Sequence, residues 1–378
     1  MIPIDPSPRP AVWPAAGLCD EREEGFGLGS AVSARVRSAG LDTVKTVAIF
    51  GTVMIHATAV GGFNWALGSP AWTANLFWST LLRCAVPLFL MCSGALFLAP
   101  QRELPLGTLW KKYILRILVA LAFWAAAYLL WGLYLARNLT WAGLAQGARD
   151  FFKFRHRDHL YYLVIMVVVY AALPLTRLFT AQAGRTLMTY GLGLWLVCGS
   201  LLPTLFAFWP FARLEGFVRQ YAMQFTWMAI GFGVLGWLIH TRGGSLRPRT
   251  YALLYLGGFA LTFFGTWILS LRWGELSGVL LQGNAPGVVM EAAGLFGLCA
   301  HRKPAGKART LTETLSRSSF CIYLVHLFFL DRLVMAGYYT GTLFPLWAAP
   351  AETLFLVLCG FVTWLILKRI PWVNRYLI

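Results

Sequence analysis

The segment "LDTVKTVAIFGTVMIHATAV", residues 41–60, is apolar along most of its length and yet holds Asp42, Lys45 and His56. Wound as a helix at about 100° per residue, it carries all three on one face. Asp42 and Lys45 can touch as an i, i+3 pair, whereas His56 stands about 16 Å further along the axis than Lys45. An imidazole can take up a proton near neutral pH, and an ammonium can hold a phosphate. Such groups are costly in an apolar setting, roughly 2.5–3.5 kcal/mol for a charge at mid-bilayer, so they mark a site or a pathway. The alternative is that Asp42 and Lys45 sit at headgroup level and His56 hydrogen-bonds a neighbouring helix.

Further polar groups stand in equally apolar surroundings. "LLRCAVPLFLMCSGALFL" places Arg83 in a span with Gly94 eleven residues on, which as a continuous helix returns to nearly the same face. Arg83 needs an anionic or carbonyl partner, such as Glu291 or Asp331, and Gly94 permits close approach of another helix or of a slender ligand. His159 and Tyr161 follow the basic, aromatic loop "DFFKFRHRDH", where Lys153, Arg155 and Arg157 stand among Phe151, Phe152 and Phe154. That loop can bind a lipid phosphate or another polar ligand, or simply anchor the chain at the interface. Tyr323 and His326, three apart, lie side by side on a helix and suit either catalysis or a helix–helix hydrogen bond.

The elements that position these residues follow from composition. With 58% hydrophobic, 15% aromatic and only 12% charged residues in 378, the chain is too apolar for a water-soluble globule. Apolar runs near the ~20 residues needed to cross a bilayer predict an all-α, polytopic membrane protein of about ten spans. The runs cover roughly 41–63, 72–98, 113–136, 159–179, 188–208, 222–240, 251–271, 285–300, 318–338 and 351–368. The eighth is short, contains Glu291 and could be broken or re-entrant. On this reading 41–370 form the transmembrane domain, and residues 1–40, rich in Pro, Gly and charge, form a disordered cytoplasmic tail. Basic residues concentrate in one set of alternate loops, which predicts cytoplasmic termini in a bacterial inner membrane, with the fourth span opening at its exported end on His159 and Tyr161.

The net charge of +17 then reflects topology and anionic headgroups, and no basic domain outside the spans points to nucleic acid. Seven cysteines without a Cys-x-x-Cys pair suggest neither a disulfide frame nor a metal site. No P-loop, dinucleotide signature or Gly-x-Ser-x-Gly elbow is present.

"DTVKTVAIFGTVMIH" resembles the first-helix pattern of the acyltransferase-3 family of integral-membrane O-acyltransferases: an acid, a basic residue three on and a histidine eleven further. Arg83 and Gly94 resemble its Arg-x10-Gly motif. "HLYYLVIMVVVYAALPL" resembles its His-Leu-Trp-Tyr-Leu segment ending in Tyr-x-x-x-Pro, here Tyr170 and Pro174, and "LSRSSFCIYLVHLFFL" resembles its Ser…Tyr-Leu-x-His motif through Tyr323 and His326. The likeness runs from about residue 41 to 368. Lys45 stands where arginine is usual, which removes the bidentate fork from that phosphate contact.

The resemblance implies transfer of an acyl group, usually acetyl from acetyl-CoA, to a hydroxyl of a surface or exported glycan. The acceptor would be a lipid-linked oligosaccharide or a polysaccharide, an exopolysaccharide of the xanthan kind being one case. An activated thioester needs little more than a base for the incoming hydroxyl, which suits His56; a covalent acyl-histidine is the variant. Lys45 and Arg83 suit the CoA phosphates, with Gly94 beside them, and Asp42 orients Lys45 in the same catalytic assembly, about 21 Å from His56. His159, Tyr161, Arg155, Tyr323 and His326 are expected to support or bind the acceptor. No metal is expected. The rival reading is a transporter or flippase for a lipid-linked glycan, whose routes are also marked by intramembrane charges.

Overall fold

The Ser38 hydroxyl accepts a hydrogen bond from the Leu41 amide and so starts α1, Ala39–Ala59, a 21-residue helix with no proline to break it. The computed structural model describes residues 38–99, 102–153, 157–214, 225–242, 246–302 and 304–378, and the expected tail, apart from residues 38–40, lies outside them. Every regular element among these residues is helical.

Ser69 caps α2, Pro70–Leu81, and α3, Ala85–Phe97, follows after a three-residue break. Pro87 explains that break: it brings no N–H, and its ring would clash with the Arg83 carbonyl of a continuous helix. Arg83 therefore sits on an irregular turn, where its amide bonds the Thr80 carbonyl. Arg83 is thus on the turn that joins α2 to α3, and Gly94 is within α3.

α4 spans Leu106–Leu135. The amphipathic α5, Trp141–Phe152, leads back to a short turn at Asp158–Leu160 and to α6, Tyr161–Ala171. α7, Leu173–Gln182, is bent away by 54°, because Pro174 cannot bond back to Tyr170. Then come α8, Arg185–Leu205, α9, Phe225–Arg242, and α10, Pro248–Trp273. α11, Pro286–Ala300, α12, Gly306–Ala336, α13, Pro345–Leu367, and the short α14, Pro371–Tyr376, complete the chain.

Among the described residues six helical stretches are long and apolar enough to cross a membrane, α2 and α3 together counting as one, or seven if α6 and α7 form one bent span. The expected ten is not reached on that measure. α11, the weakest of the expected spans, is an unbroken helix of only 15 residues.

α1 holds the centre, packed against α2, α3, α11, α12 and α13. Its Ala48, Ile49 and Val53 are fully buried. This placement lets one helix carry Asp42, Lys45 and His56, since helices around it shield those groups from lipid. α10 behaves oppositely: Leu253, Leu256, Phe264 and Ile268 are exposed, forming the apolar outer surface that lipid requires. On its inner side α10 crosses α11 so closely that a Cβ on Gly258 would lie 2.5 Å from the Gly287 carbonyl oxygen. Small residues permit such crossings where apolar burial from water gives no drive.

Candidate active site

Three histidines from distant parts of the chain meet at the end of α1. His56 lies in the last turn of α1, His159 in the turn before α6, and His326 in the middle of α12. Ring centroids are 5.1 Å apart for His56 and His326, 5.6 Å for His159 and His326, and 6.1 Å for His56 and His159. His159 and His326 are buried, and His56 is partly accessible. Among the described residues no group of His, Cys, Asp or Glu side chains is placed to hold a metal ion.

Two tyrosines set the positions of these rings. The Tyr323 hydroxyl donates to the His159 carbonyl oxygen at 2.5 Å, and the Tyr128 hydroxyl donates to the Leu324 carbonyl oxygen at 2.7 Å. The Tyr128 ring meets His159 edge-on at 4.9 Å and stacks on Phe328 at 4.1 Å. α4, α12 and the turn before α6 are thereby tied together at the level of His56.

A layer of loops closes the end of α1 beyond the cluster. The Thr340 hydroxyl donates to the Ala57 carbonyl oxygen at 2.7 Å, Trp65 Nε1 donates to the Thr340 carbonyl at 2.9 Å, and the Thr340 amide donates to Glu352 at 3.2 Å. Asn75 donates to the Thr58 carbonyl at 3.1 Å. The last carbonyls of α1 thus find partners, as buried helix ends must.

Two guanidinium groups act on the cluster. Arg83 Nε donates to the Leu281 carbonyl oxygen at 2.7 Å, and Arg83 interacts electrostatically with His56, Tyr161 and Glu291. Of the two partners considered for Arg83, Glu291 is the one nearby. Asp331 instead binds Arg157 at 2.5 Å and accepts from Trp131 Nε1 at 3.0 Å. Arg157 lies within electrostatic range of both His56 and His326. Arg83, expected with Lys45 on the CoA phosphates, therefore belongs to the histidine end.

At the other end of α1, Asp42 and Lys45 part company. Asp42 is buried and accepts from the Ser316 hydroxyl at 2.7 Å, which fastens α1 to α12. Hydrogen bonds to a charged group contribute about 1.5–3 kcal/mol. Asp42→Ala should lower stability by that order in thermal unfolding of the solubilised protein, and Ser316→Ala by less, because it leaves the carboxylate its other contacts.

Lys45 opens instead on a cavity of about 330 Å³. Arg116, Ser316, Ser319, Tyr113 and Tyr170 line it with Lys45, and Phe89, Tyr162, Leu163 and Tyr323 line it further along. Thr52, four residues before His56, is also on its wall. The cavity therefore runs beside α1 from a cationic end to Tyr162 and Tyr323, whose rings are 5.6 Å apart, and Tyr323, one of the two tyrosines that hold the histidine cluster, is 5.5 Å from His159. Arg116 escaped the sequence reading because it counted as a loop charge; its position on α4, a turn inside the apolar run, was the available signal.

Gly94 lies away from this cavity. A Cβ there would fall 1.8 Å from the Gly233 carbonyl oxygen, so the glycine serves the crossing of α3 and α9 and not a ligand. His159, expected at the exported end of its span, stands against His56, which is itself only three residues from the end of α1. Tyr161 is 43% exposed at the start of α6. Arg155 lies outside the described residues.

The comparisons with known proteins identify a family. No curated protein and no solved structure matches the chain. The family described as "Acyltransferase domain" matches residues 38–369, from the cap of α1 to the end of α13 and just beyond. A chain matched over almost the whole of its described helical unit belongs to the acyltransferase-3 family of membrane acyltransferases.

Proposed function

We propose that this acyltransferase moves an acetyl group from acetyl-CoA to a sugar hydroxyl of a lipid-linked or exported polysaccharide, with His56 as general base. The setting we propose is a bacterial inner membrane with both chain ends on the cytoplasmic side. The observation that carries the reading is the cavity that joins Lys45 and Arg116 to the tyrosines around the histidine cluster. Its cationic end suits the CoA phosphates, and its narrow, aromatic course suits the pantetheine arm. A cavity of about 330 Å³ is at the small end of ligand sites, so the nucleotide rests at its mouth and the thioester is delivered inward.

The chemistry is then short. A His56 nitrogen takes the hydroxyl proton as the oxygen attacks the thioester carbonyl carbon; the C–S bond breaks and the departing sulfur recovers the proton. Arg83, within electrostatic range of His56 and fixed by the Leu281 carbonyl, stabilises the oxyanion in this reading. The acceptor approaches from the Arg157 and His159 side, opposite the donor cavity. The test is release of CoA thiol by the purified protein with a glycan acceptor, together with ester content of the exported glycan in cells with and without the gene. No thiol release with a range of sugar acceptors would reject it.

Lys45→Ala should raise KM for acetyl-CoA about tenfold, the order of one exposed charge-assisted contact, and change kcat little. Steady-state kinetics at fixed acceptor checks this. Arg116→Ala should act in the same sense.

A further inference from the structure

His326 is held in a state that acyl transfer can use. Its Nδ1 lies 2.8 Å from the Tyr323 carbonyl oxygen and 3.2 Å from that of Ile322. Carbonyl oxygens only accept, so the ring proton is on Nδ1 and Nε2 carries a lone pair. That Nε2 is buried and meets no hydrogen-bond partner among the described residues. Stable folds rarely leave a buried acceptor unpaired, and such exceptions often mark function. The His56 ring lies 5.1 Å from the His326 ring between centroids, tilted by 46°. At that separation two imidazole nitrogens that point at each other come within hydrogen-bonding distance.

We propose that His56 and His326 form a working pair: His56 takes the acceptor proton, and His326 Nε2 accepts a hydrogen bond from the imidazolium this creates. The inference rests on the acyl-transfer reading above. In atoms, the acceptor O–H bond breaks and its proton joins the free nitrogen of His56. The N–H already on the other nitrogen then donates to His326. When the C–S bond breaks, His56 returns a proton to the sulfur and the pair is restored. His326 is thus a positioning residue, acting through His56.

The surroundings call for such an acceptor. The groups facing the pair are His159 from the turn before α6, Tyr128 from α4, Tyr323 from α12, and the Arg83 and Arg157 guanidiniums. The cations disfavour a second positive charge, and the Asp331 carboxylate on α12 is engaged by Arg157 and Trp131. A neutral ring beside His56 whose Nε2 keeps its lone pair fills the part that a carboxylate plays in a base–orienter pair.

The full-length protein bearing His326→Phe or His326→Leu, neither of which offers an acceptor, tests the pairing. Expected for both variants is a fall in kcat of at least tenfold, with KM for acetyl-CoA unchanged. The acidic limb of the kcat–pH profile should move down by about one unit, because an imidazolium without its acceptor loses its proton more readily. An unmoved limb beside a reduced kcat overturns the proposal in favour of packing, as does loss of acetyl-CoA binding in both variants. An unchanged kcat overturns it too. Failure of the underlying reading has another signature: the unmodified protein releases no thiol, or His56→Ala transfers at the full rate.

Discussion

Replacing His56 by alanine should lower acyl transfer by 10²–10⁴-fold, the usual contribution of a positioned general base, while acetyl-CoA still binds. The argument is geometric. The donor cavity touches α1 at Lys45 and Thr52, and the imidazole is a further turn along the same helix. Removing it takes away no phosphate contact, so KM for the donor should hold and kcat should carry the loss. The two ends of α1 can therefore be separated by experiment: Lys45 substitution acts on KM, and His56 substitution acts on kcat. Transfer by His56→Ala at the normal rate would remove the catalytic assignment, and a parallel rise in donor KM would place the CoA phosphates at the wrong end.

Gly94→Val should cost about 3 kcal/mol or more, the upper range for forced overpacking, and should sharply reduce the yield of folded protein. The Cβ would come within 1.8 Å of the Gly233 carbonyl oxygen, and a backbone atom of a packed helix cannot step aside as a side chain can. α3 and α9 would have to separate along one of the most extensive helix contacts in the molecule. Gly132→Ala is the control: nothing lies within 4 Å of that position, so stability should hold or rise slightly. Thermal unfolding in detergent reads both variants. In whatever fraction of Gly94→Ala folds, KM for acetyl-CoA should be that of the unmodified protein. A selective rise in KM with normal stability would return Gly94 to the donor site.

The asymmetry between His56 and Gly94 shows where sequence spacing carries an argument and where it does not. Between Asp42 and His56 the helix is continuous, so spacing alone put them on one face with the right separation. Between Arg83 and Gly94 the helix is interrupted at residues 82–84, so spacing alone does not carry the argument, and Arg83 lies within electrostatic range of His56. Arg83 joined to His56, and not to Lys45, is the largest change that follows.

The composition and the apolar runs by themselves determined a helical membrane protein, and the four ordered motifs determined its family, because both depend on which residues occur and at what local spacing. His56 and Lys45 as functional candidates were legible for the same reason: a polar group in an apolar helix is conspicuous from its neighbours alone. What only the tertiary structure decided is which distant groups meet. His56, His159 and His326 are separated by up to 270 residues and share no local pattern. Arg116 became part of the cavity beside Lys45, Asp42 a tie to Ser316, and Asp331 the partner of Arg157, because helix packing, not spacing along the chain, fixes which faces oppose each other.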